Sequence, residues 1–476
     1  MDLKKVANIT PSERQYNWQK TEFYGFAHFG VNTYTNMEWG LGNEDPKIFN
    51  PVKFDANQWV EAVKAAGMRG LILTAKHHDG FCLWQSRYTE HCIKNSPYKG
   101  GRGDIVKEVS EACKKGGIKF GVYLSPWDRH EKTYGDSDKY NKYYKNQLVE
   151  LLTNYGEMFS IWFDGACGEG PNGKRQEYDW KGYIDICRHY QPHAVTFNIG
   201  DIRWCGNEAG DCRDAEWSVL PLAAASYKFI FDEAQKEEDT DGSFRKLGIK
   251  IDHKDLGSRR VIADDKNFIW YPCETDTSIR PGWFYHPEED DKVRSLDTLL
   301  NIYYRSVGGN STLLLNIPPN TDGLFHENDV KRLQEIGQEL GKAFKYNFSN
   351  DIKSIKASSE ASGHEIMQAI VCKDIHGNDD KNCYFTPESY KDGDTVSIDI
   401  EFDDEKEISK VVLMENIRVG QRIERFEIIC NGEKIYSGET VGYKKIALFD
   451  KIKTDKLTIN ILESRTEPTL NFIGIY

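Results

Sequence analysis

No lysine- and arginine-rich run occurs anywhere in this chain, and its formal charge is −13 at pH 7. A protein that grips phosphates needs a basic patch or stripe, so nucleic acid and anionic lipid are not the expected partners and a neutral ligand fits better. Nor is there an apolar run approaching the roughly 20 residues that span a bilayer. The opening residues, Met1-Asp2-Leu3-Lys4-Lys5, lack an apolar stretch of signal-peptide length. As written the chain reads as cytoplasmic; with an export signal already removed it reads as periplasmic or secreted. The 11 cysteines are odd in number and show no CxxC or CxxxC spacing, which argues against a fully paired disulfide framework and a structural zinc. Neither HxH nor HExxH spacing is found, so no metal is expected, and no Gly-rich phosphate loop points to a nucleotide cofactor. Internal repeats and low-complexity tracts are lacking as well, which excludes a solenoid or a disordered chain.

What is present is a sizeable core and many amphipathic aromatics. A length of 476 residues exceeds one usual domain, and 39% hydrophobic residues can fill more than one core. The chain carries 11 tryptophans and 25 tyrosines, whose flat apolar faces and polar edges suit sugars, although core packing uses the same residues.

To about residue 345, short apolar or aromatic runs alternate with helical patterns, as parallel strands with crossover helices require. Strands are expected at Phe23–His28, Leu71–Thr74, Lys119–Leu124, Ser160–Asp164, Ala194–Asn198, Asn267–Tyr271 and Thr312–Asn316. Helices are expected at Asp55–Ala66, Ile105–Lys115, Asn141–Asn154, Lys181–His189 and Asp329–Phe344. Seven strands point to an eight-stranded (β/α)8 barrel with one unrecognised. From about Ser354 the pattern changes to strand-like runs at Thr395–Phe402, Lys410–Met414, Arg425–Cys430 and Leu457–Leu462, separated by Gly, Asn and Asp turns. The expectation is a catalytic barrel over residues 1–345 and an all-β sandwich over residues 346–476.

Polar and aromatic side chains follow several of the expected barrel strands: His28, His77-His78-Asp79-Gly80, Tyr123, Asp164, and Asn198 leading to Glu208. In a barrel these share the C-terminal mouth, where active sites are built. Asp164 closes the run Ile161-Trp162-Phe163 and precedes Gly165-Ala166, so small neighbours leave a carboxylate room for a ligand; by local context alone it could equally be a capping aspartate. Glycoside hydrolysis uses two carboxyls, one nucleophile or base and one acid with a raised pKa. Glu208, Glu216 and Glu274 are the candidate acids. Glu208 lies in the glycine-flanked Arg203–Gly210 stretch, whereas the other two have the bland alternative of an ion-pair partner. Adjacent histidines point to opposite sides of a strand, so His77 and His78 do not chelate one ion there. Binding substrate hydroxyls through neutral rings suits them better, with satisfied core histidines as the plain alternative. Trp39 and Trp283 could stack on a sugar or pack against helices.

Five runs, taken in order and spacing, resemble the α-L-fucosidases of glycoside hydrolase family 29: Phe26-Ala27-His28-Phe29-Gly30; Met37-Glu38-Trp39-Gly40; Thr74 through Trp84; Lys119 through Ser125; and Trp162-Phe163-Asp164-Gly165. The likeness covers roughly the first 340 residues and ends at Leu313-Leu314-Leu315-Asn316-Ile317-Pro318-Pro319. It implies a retaining mechanism with Asp164 as nucleophile and no cofactor. It also implies a fucose pocket of His28, Glu38, Trp39, His77, His78 and Tyr123, with Trp283 facing the C6 methyl or the ring. The segments Arg203–Gly210 and Glu274–His286 are similar to those of the subgroup acting on α-1,3- and α-1,4-linked fucose, which implies Glu208 as acid/base in preference to Glu216. The implied partner is a fucosylated oligosaccharide or glycoconjugate. A broader or α-1,2 preference, a non-catalytic fucose-binding protein and a metal-dependent deacetylase on a barrel are the rival readings.

Overall fold

The computed structural model describes residues 2–225, 255–371, 374–376 and 380–476. Its first part is a parallel barrel of β1 (Phe23–Ala27), β2 (Gly70–Lys76), β3 (Lys119–Leu124), β4 (Ser160–Trp162), β5 (Val195–Phe197), β6 (Arg203–Trp204), β9 (Cys273–Ser278) and β10 (Ser311–Asn316), while β7 (Val219–Pro221) and β8 (Phe268–Trp270) pair antiparallel outside it. Around the barrel the order is β5-β4-β3-β2-β1-β10-β9-β6. A parallel bridge between Phe197 and Ile202 brings the two end strands together and closes the ring.

Two strand expectations are corrected here. The aromatic run at 267–271 forms β8, which belongs to the two-stranded ribbon and not to the barrel. The barrel instead takes β6, only two residues long, and β9, whose sequence Cys-Glu-Thr-Asp-Thr-Ser contains no aliphatic residue yet is buried throughout. Its register against β10 is unbroken, from Ser311 opposite Cys273 to Asn316 opposite Ser278.

The crossover helices form where capping and amphipathic spacing agree. The helix Ile105–Gly116 starts at Asp104, whose carboxylate accepts from Lys107 N, and stops at Gly117 in the left-handed region at φ 71°. Its buried residues Ile105, Val106, Val109, Ala112 and Cys113 make one stripe against the sheet. The helix Ala56–Ala65 likewise opens on Asp55 and buries Trp59, Val60 and Val63. Each helix thereby returns the chain to the base of the barrel, so every strand delivers its C-terminal end to the same mouth.

The C-terminal part is an antiparallel array of β11 (Ile352–Ala357), β12 (Val396–Met414), β13 (Ile423–Cys430), β14 (Glu433–Gly438), β15 (Lys445–Ser464) and β16 (Phe472–Ile475), in the order β11-β12-β15-β13-β14 with β16 added to β12. The two short strands expected at Thr395–Phe402 and Lys410–Met414 are one long strand, β12, and the run expected at Leu457–Leu462 is the last part of the longer β15; the register between β12 and β15 slips between Glu401 and Lys406 and again between Ile408 and Lys410. Such bulges bend a strand and let one ribbon serve two layers. Near the start of β12 the side chains alternate, with Val396, Ile398 and Ile400 in the sandwich core. At its end both faces are covered: Val411 and Leu413 join that core, whereas Val412 and Met414 join the core of the barrel.

The sandwich thus seals the base of the barrel. Glu22, immediately before β1, is buried there with φ 57°. Its carboxylate accepts from Tyr443 Oη at 2.8 Å, Lys444 Nζ at 2.5 Å and His376 Nδ1 at 2.9 Å. Burial alone would push this carboxyl up, but the Lys444 ammonium and His376 outweigh it and hold Glu22 at about 2.

Candidate active site

At the opposite end, β4 stops at Trp162 and delivers Asp164 into the mouth. Asp164 Oδ1 accepts from Ala166 N at 2.6 Å, and Oδ2 accepts from the Tyr123 hydroxyl at 2.9 Å. Burial and the neighbouring aspartate push the Tyr123 phenol well above its ordinary range, so it stays a donor. The carboxylate is held by two donors while its side chain remains 14% exposed, the condition of an aimed anion that can still reach a ligand.

Three histidines line the same mouth, and the hydrogen-bond network assigns each ring its tautomer. Asn316 Nδ2 donates to Ser278 Oγ and to Trp283 O, so its Oδ1 is the acceptor facing His28 Nδ1 at 2.8 Å. His28 therefore carries its proton on Nδ1 and turns a lone pair on Nε2. The Ser125 hydroxyl donates to Trp127 O, so it accepts from His78 Nδ1 at 2.7 Å. His78 Nε2, 4.0 Å from Asp164 Oδ2, also presents a lone pair, which makes this contact a neutral neighbour and not an ion pair. His77 has the opposite polarity: Asn32 Nδ2 faces its Nδ1 at 3.4 Å, leaving Nε2–H as a donor. Burial pushes His28 and His78 down to about 4, and His77 well below its ordinary value. All three rings are neutral at pH 7. The His-His-Asp-Gly turn that carries two of them depends on Gly80, at φ 78°, where a Cβ would lie 2.4 Å from Asp128 Oδ1.

The remaining expected residues fall on the rim. Trp39 meets His78 and Trp127 edge-on, each at 5.6 Å between ring centroids. The Trp283 ring lies 5.1 Å from His28, and its indole N–H donates to Glu208 Oε2 at 2.9 Å. Glu38 is tied more closely to protein than its sequence context indicated: Oε2 accepts from Trp283 N at 3.0 Å, and Oε1 from Phe284 N at 3.1 Å.

The three candidate acids separate by access. Glu216 is fully buried against Arg203 and Arg213 at 2.5 and 2.8 Å, and although burial opposes it, those guanidiniums hold its carboxyl below the usual range. It is a structural counter-ion. Burial pushes Glu274 up to about 7, against the pull of hydrogen bonds from Tyr24 and Trp162. That value suits a general acid, but the side chain lies within the barrel with no exposure, and a proton donor must reach its acceptor. Glu208 is half-buried at the mouth. Its backbone is fastened to β9, where Thr277 Oγ1 donates to Glu208 O at 2.8 Å and Ala209 bridges Thr277. One residue earlier on the same strand, Asp276 accepts from Trp204 Nε1 at 2.6 Å, and burial together with the Glu208 charge pushes its carboxyl well up. Asn316, Ser125 and Asp276 were not anticipated; a polar residue ending an apolar strand, as in Leu313-Leu314-Leu315-Asn316, was the available signal for the first. Among the described residues, no group of three or more His, Cys, Asp or Glu is arranged to hold a metal ion, and every cysteine is a free thiol.

Comparison with known proteins agrees with this architecture. The model of the α-L-fucosidase family matches residues 4–343. Alpha-L-fucosidase 1 of Arabidopsis thaliana is 38% identical over 475 residues, covering 98% of this chain and 87% of the plant protein. Among solved structures, a putative α-L-fucosidase from Bacteroides ovatus is 42% identical with a TM-score of 0.85, covering 100% of this chain and 75% of that one. A Ruminococcus gnavus family 29 fucosidase in complex with fucose is 30% identical with a TM-score of 0.82, covering 98% and 95%.

Proposed function

This chain belongs to the α-L-fucosidase family of glycoside hydrolases, and from that premise we propose that it removes terminal α-1,3- or α-1,4-linked L-fucose from branched oligosaccharides or glycoconjugates with retention of configuration. Asp164 attacks C1 as the bond from C1 to the glycosidic oxygen breaks, and Glu208 gives that oxygen its proton. The result is a fucosyl ester on Asp164. Glu208, now a carboxylate, takes a proton from water, the water oxygen bonds to C1, and Asp164 leaves as a carboxylate.

One observation carries this reading: Asp164 is a partly exposed anion clamped by Tyr123 and Ala166 N at the open end of the barrel, among three neutral histidines. Neutral rings do not neutralise the nucleophile, and they offer sugar hydroxyls two acceptors, at His28 and His78, and one donor, at His77. Trp39 and Trp283 supply apolar faces for the deoxy sugar, and Glu38 supports Trp283. Glu208 is supported as acid by its access and by the indole that orients it. The linkage preference rests on the likeness of Arg203–Gly210 and Glu274–His286 to the α-1,3/1,4 subgroup. In the same reading residues 1–345 are the catalytic unit and residues 346–476 brace its base.

Trapping with a 2-fluoro-fucosyl donor followed by peptide mass spectrometry tests the nucleophile, and label on any residue but Asp164 refutes it. Fucose release compared among α-1,2-linked, branched α-1,3/1,4-linked and aryl fucosides tests the linkage. Faster release from the α-1,2 substrate removes the subgroup assignment, and no release from any of them returns the chain to a binding role.

A further inference from the structure

His286 lies behind the mouth, with both ring nitrogens against oxygen atoms. Nε2 is 2.6 Å from Glu38 Oε1 and Nδ1 is 2.7 Å from Asn36 Oδ1. The Asn36 amide cannot be reversed, because its Nδ2 donates to Glu288 Oε1 at 3.1 Å and a flip would set oxygen against carboxylate. A neutral imidazole has one N–H, so satisfying two acceptors requires the imidazolium. Among the described residues, the charged groups that act most on the ring are Glu38 on the segment after the helix Val31–Thr35, and Glu288 and Glu289 on the turn Pro287–Glu289. The hydrogen bond to Glu38 raises the His286 pKa above its ordinary value against the effect of burial.

The imidazolium has a mechanical consequence. The Glu38 carboxylate that it grips also accepts the backbone N–H groups of Trp283 and Phe284, and the Trp283 indole donates to Glu208. Packing here is tight, since a Cβ on Gly282 would lie 2.6 Å from Glu38 Oε1 and 2.8 Å from His286 Cδ2. We propose that protonated His286 is a positioning residue for the acid/base: through Glu38 it fixes the Trp283 segment, and through the Trp283 indole it aims Glu208. The inference rests on the assignment of Glu208 as acid. When His286 loses its proton, one of its two acceptors faces a lone pair, the segment loosens, and proton delivery to the leaving group fails before nucleophilic attack does.

The test compares wild type, His286→Ala, His286→Gln and Glu208→Gln on two substrates across pH: a branched fucosylated trisaccharide, which needs a proton on its leaving group, and 2-chloro-4-nitrophenyl α-L-fucoside, which needs little. For His286→Ala we expect kcat on the trisaccharide to fall about tenfold while the aryl fucoside changes by less than about threefold, a fraction of the full general-acid contribution. His286→Gln keeps a donor toward Glu38 that does not titrate, so it restores most of kcat on the trisaccharide at neutral pH, while the alkaline limb that Glu208 itself produces remains. An equal fall on both substrates, or a His286→Gln kcat on the trisaccharide about tenfold or more below wild type at neutral pH, overturns the proposal. The second criterion decides if the alanine variant does not fold. Glu208→Gln separates the two failures. If it does not discriminate between substrates the acid assignment is wrong, and if it discriminates while His286→Ala does not, the clasp is wrong.

Discussion

The two ends of the barrel bury polar groups in opposite ways. At the base, Glu22 is saturated: Tyr443, Lys444 and His376 together occupy both of its oxygens, and the carboxyl is held ionised. At the mouth, each histidine is tied by one nitrogen while the Nε2 of His28 and of His77 has no hydrogen-bond partner among the described residues, and burial keeps the rings neutral. A saturated group contributes stability and offers a ligand nothing. A group tied at one atom is aimed, and its other atom stays available for recognition. The contrast teaches where substitutions should cost activity and where they should cost folding.

The sharpest way to break it is Asp164→Ala. Asp164 accepts two hydrogen bonds and lies outside the hydrophobic core clusters, so under the proposed mechanism kcat should fall by about 10⁴ or more with little change in melting temperature, because the covalent step would be lost and a core would not. Steady-state kinetics and a thermal melt on one preparation decide it. A large drop in melting temperature would mean that the aspartate also holds the mouth together, and the comparison would fail at its central residue.

Glu22→Ala is the counterpart at the base. Removing the carboxylate leaves the Lys444 ammonium buried and Tyr443 without its acceptor, which should cost about 3–5 kcal/mol. Denaturant unfolding should show this loss while kcat/KM of the folded fraction stays near wild type. A selective loss of activity would show that the base communicates with the mouth.

Acid titration sharpens the comparison, because the two ends respond in different windows. Folding depresses His28 and His78 from 6.5 to about 4; their stability contribution is complete above the unfolded value and is lost as pH falls from 6.5 toward 4. Folding depresses Glu22 from 4.5 to about 2, so its contribution is lost between 4.5 and 2. Each fully buried group is linked to at most about 3 kcal/mol over its window, from 1.36 kcal/mol per pKa unit. Melting temperature against pH should therefore decline in two stages. Glu22→Gln should flatten the lower stage and leave the upper one.

Much of this was legible in the sequence, for a physical reason. The strands recognised in advance, such as Leu71–Thr74 and Thr312–Asn316, are aliphatic because the helices outside and the core inside cover both their faces. The strand β9 escaped because Glu274 and Asp276 take the places of apolar residues, and β6 because two residues carry no period. The run at 267–271 has the composition of a barrel strand, but pairing with Val219–Pro221, which composition does not encode, placed it elsewhere. At the site, Asp164 and the histidine pair stood out as polar residues ending apolar strands. The tautomers did not, since they depend on Asn316 and Ser125, which lie 288 and 47 residues from the rings they orient. Glu38 came into the pocket only through the family resemblance, and its hold on Trp283 N, 245 positions away, could not be read from the sequence.

The smallest effect, and the one that best isolates a group tied at one atom, is expected for His28→Phe. The new ring keeps the packing against Phe26 at 4.4 Å and Phe284 at 5.4 Å but removes the Nε2 lone pair and leaves Asn316 Oδ1 without its ring donor. Losing one hydrogen bond to the sugar in the proposed pocket should weaken fucose binding about tenfold, the equivalent of roughly 1–2 kcal/mol, with a smaller cost in stability at pH 7, because Asn316 Oδ1 loses the ring donor but keeps the backbone N–H of residue 28 at 3.3 Å. The sign then changes with pH. Wild-type His28 must be kept neutral in the fold while the unfolded chain takes up a proton below 6.5, a penalty that phenylalanine does not carry. The stability gap between variant and wild type should therefore shrink as pH falls toward 4, while the binding defect for fucose, measured by inhibition at pH 7, remains. A gap that widens in acid would mean that His28 is charged in the native mouth, and the contrast with the ion-paired base would disappear.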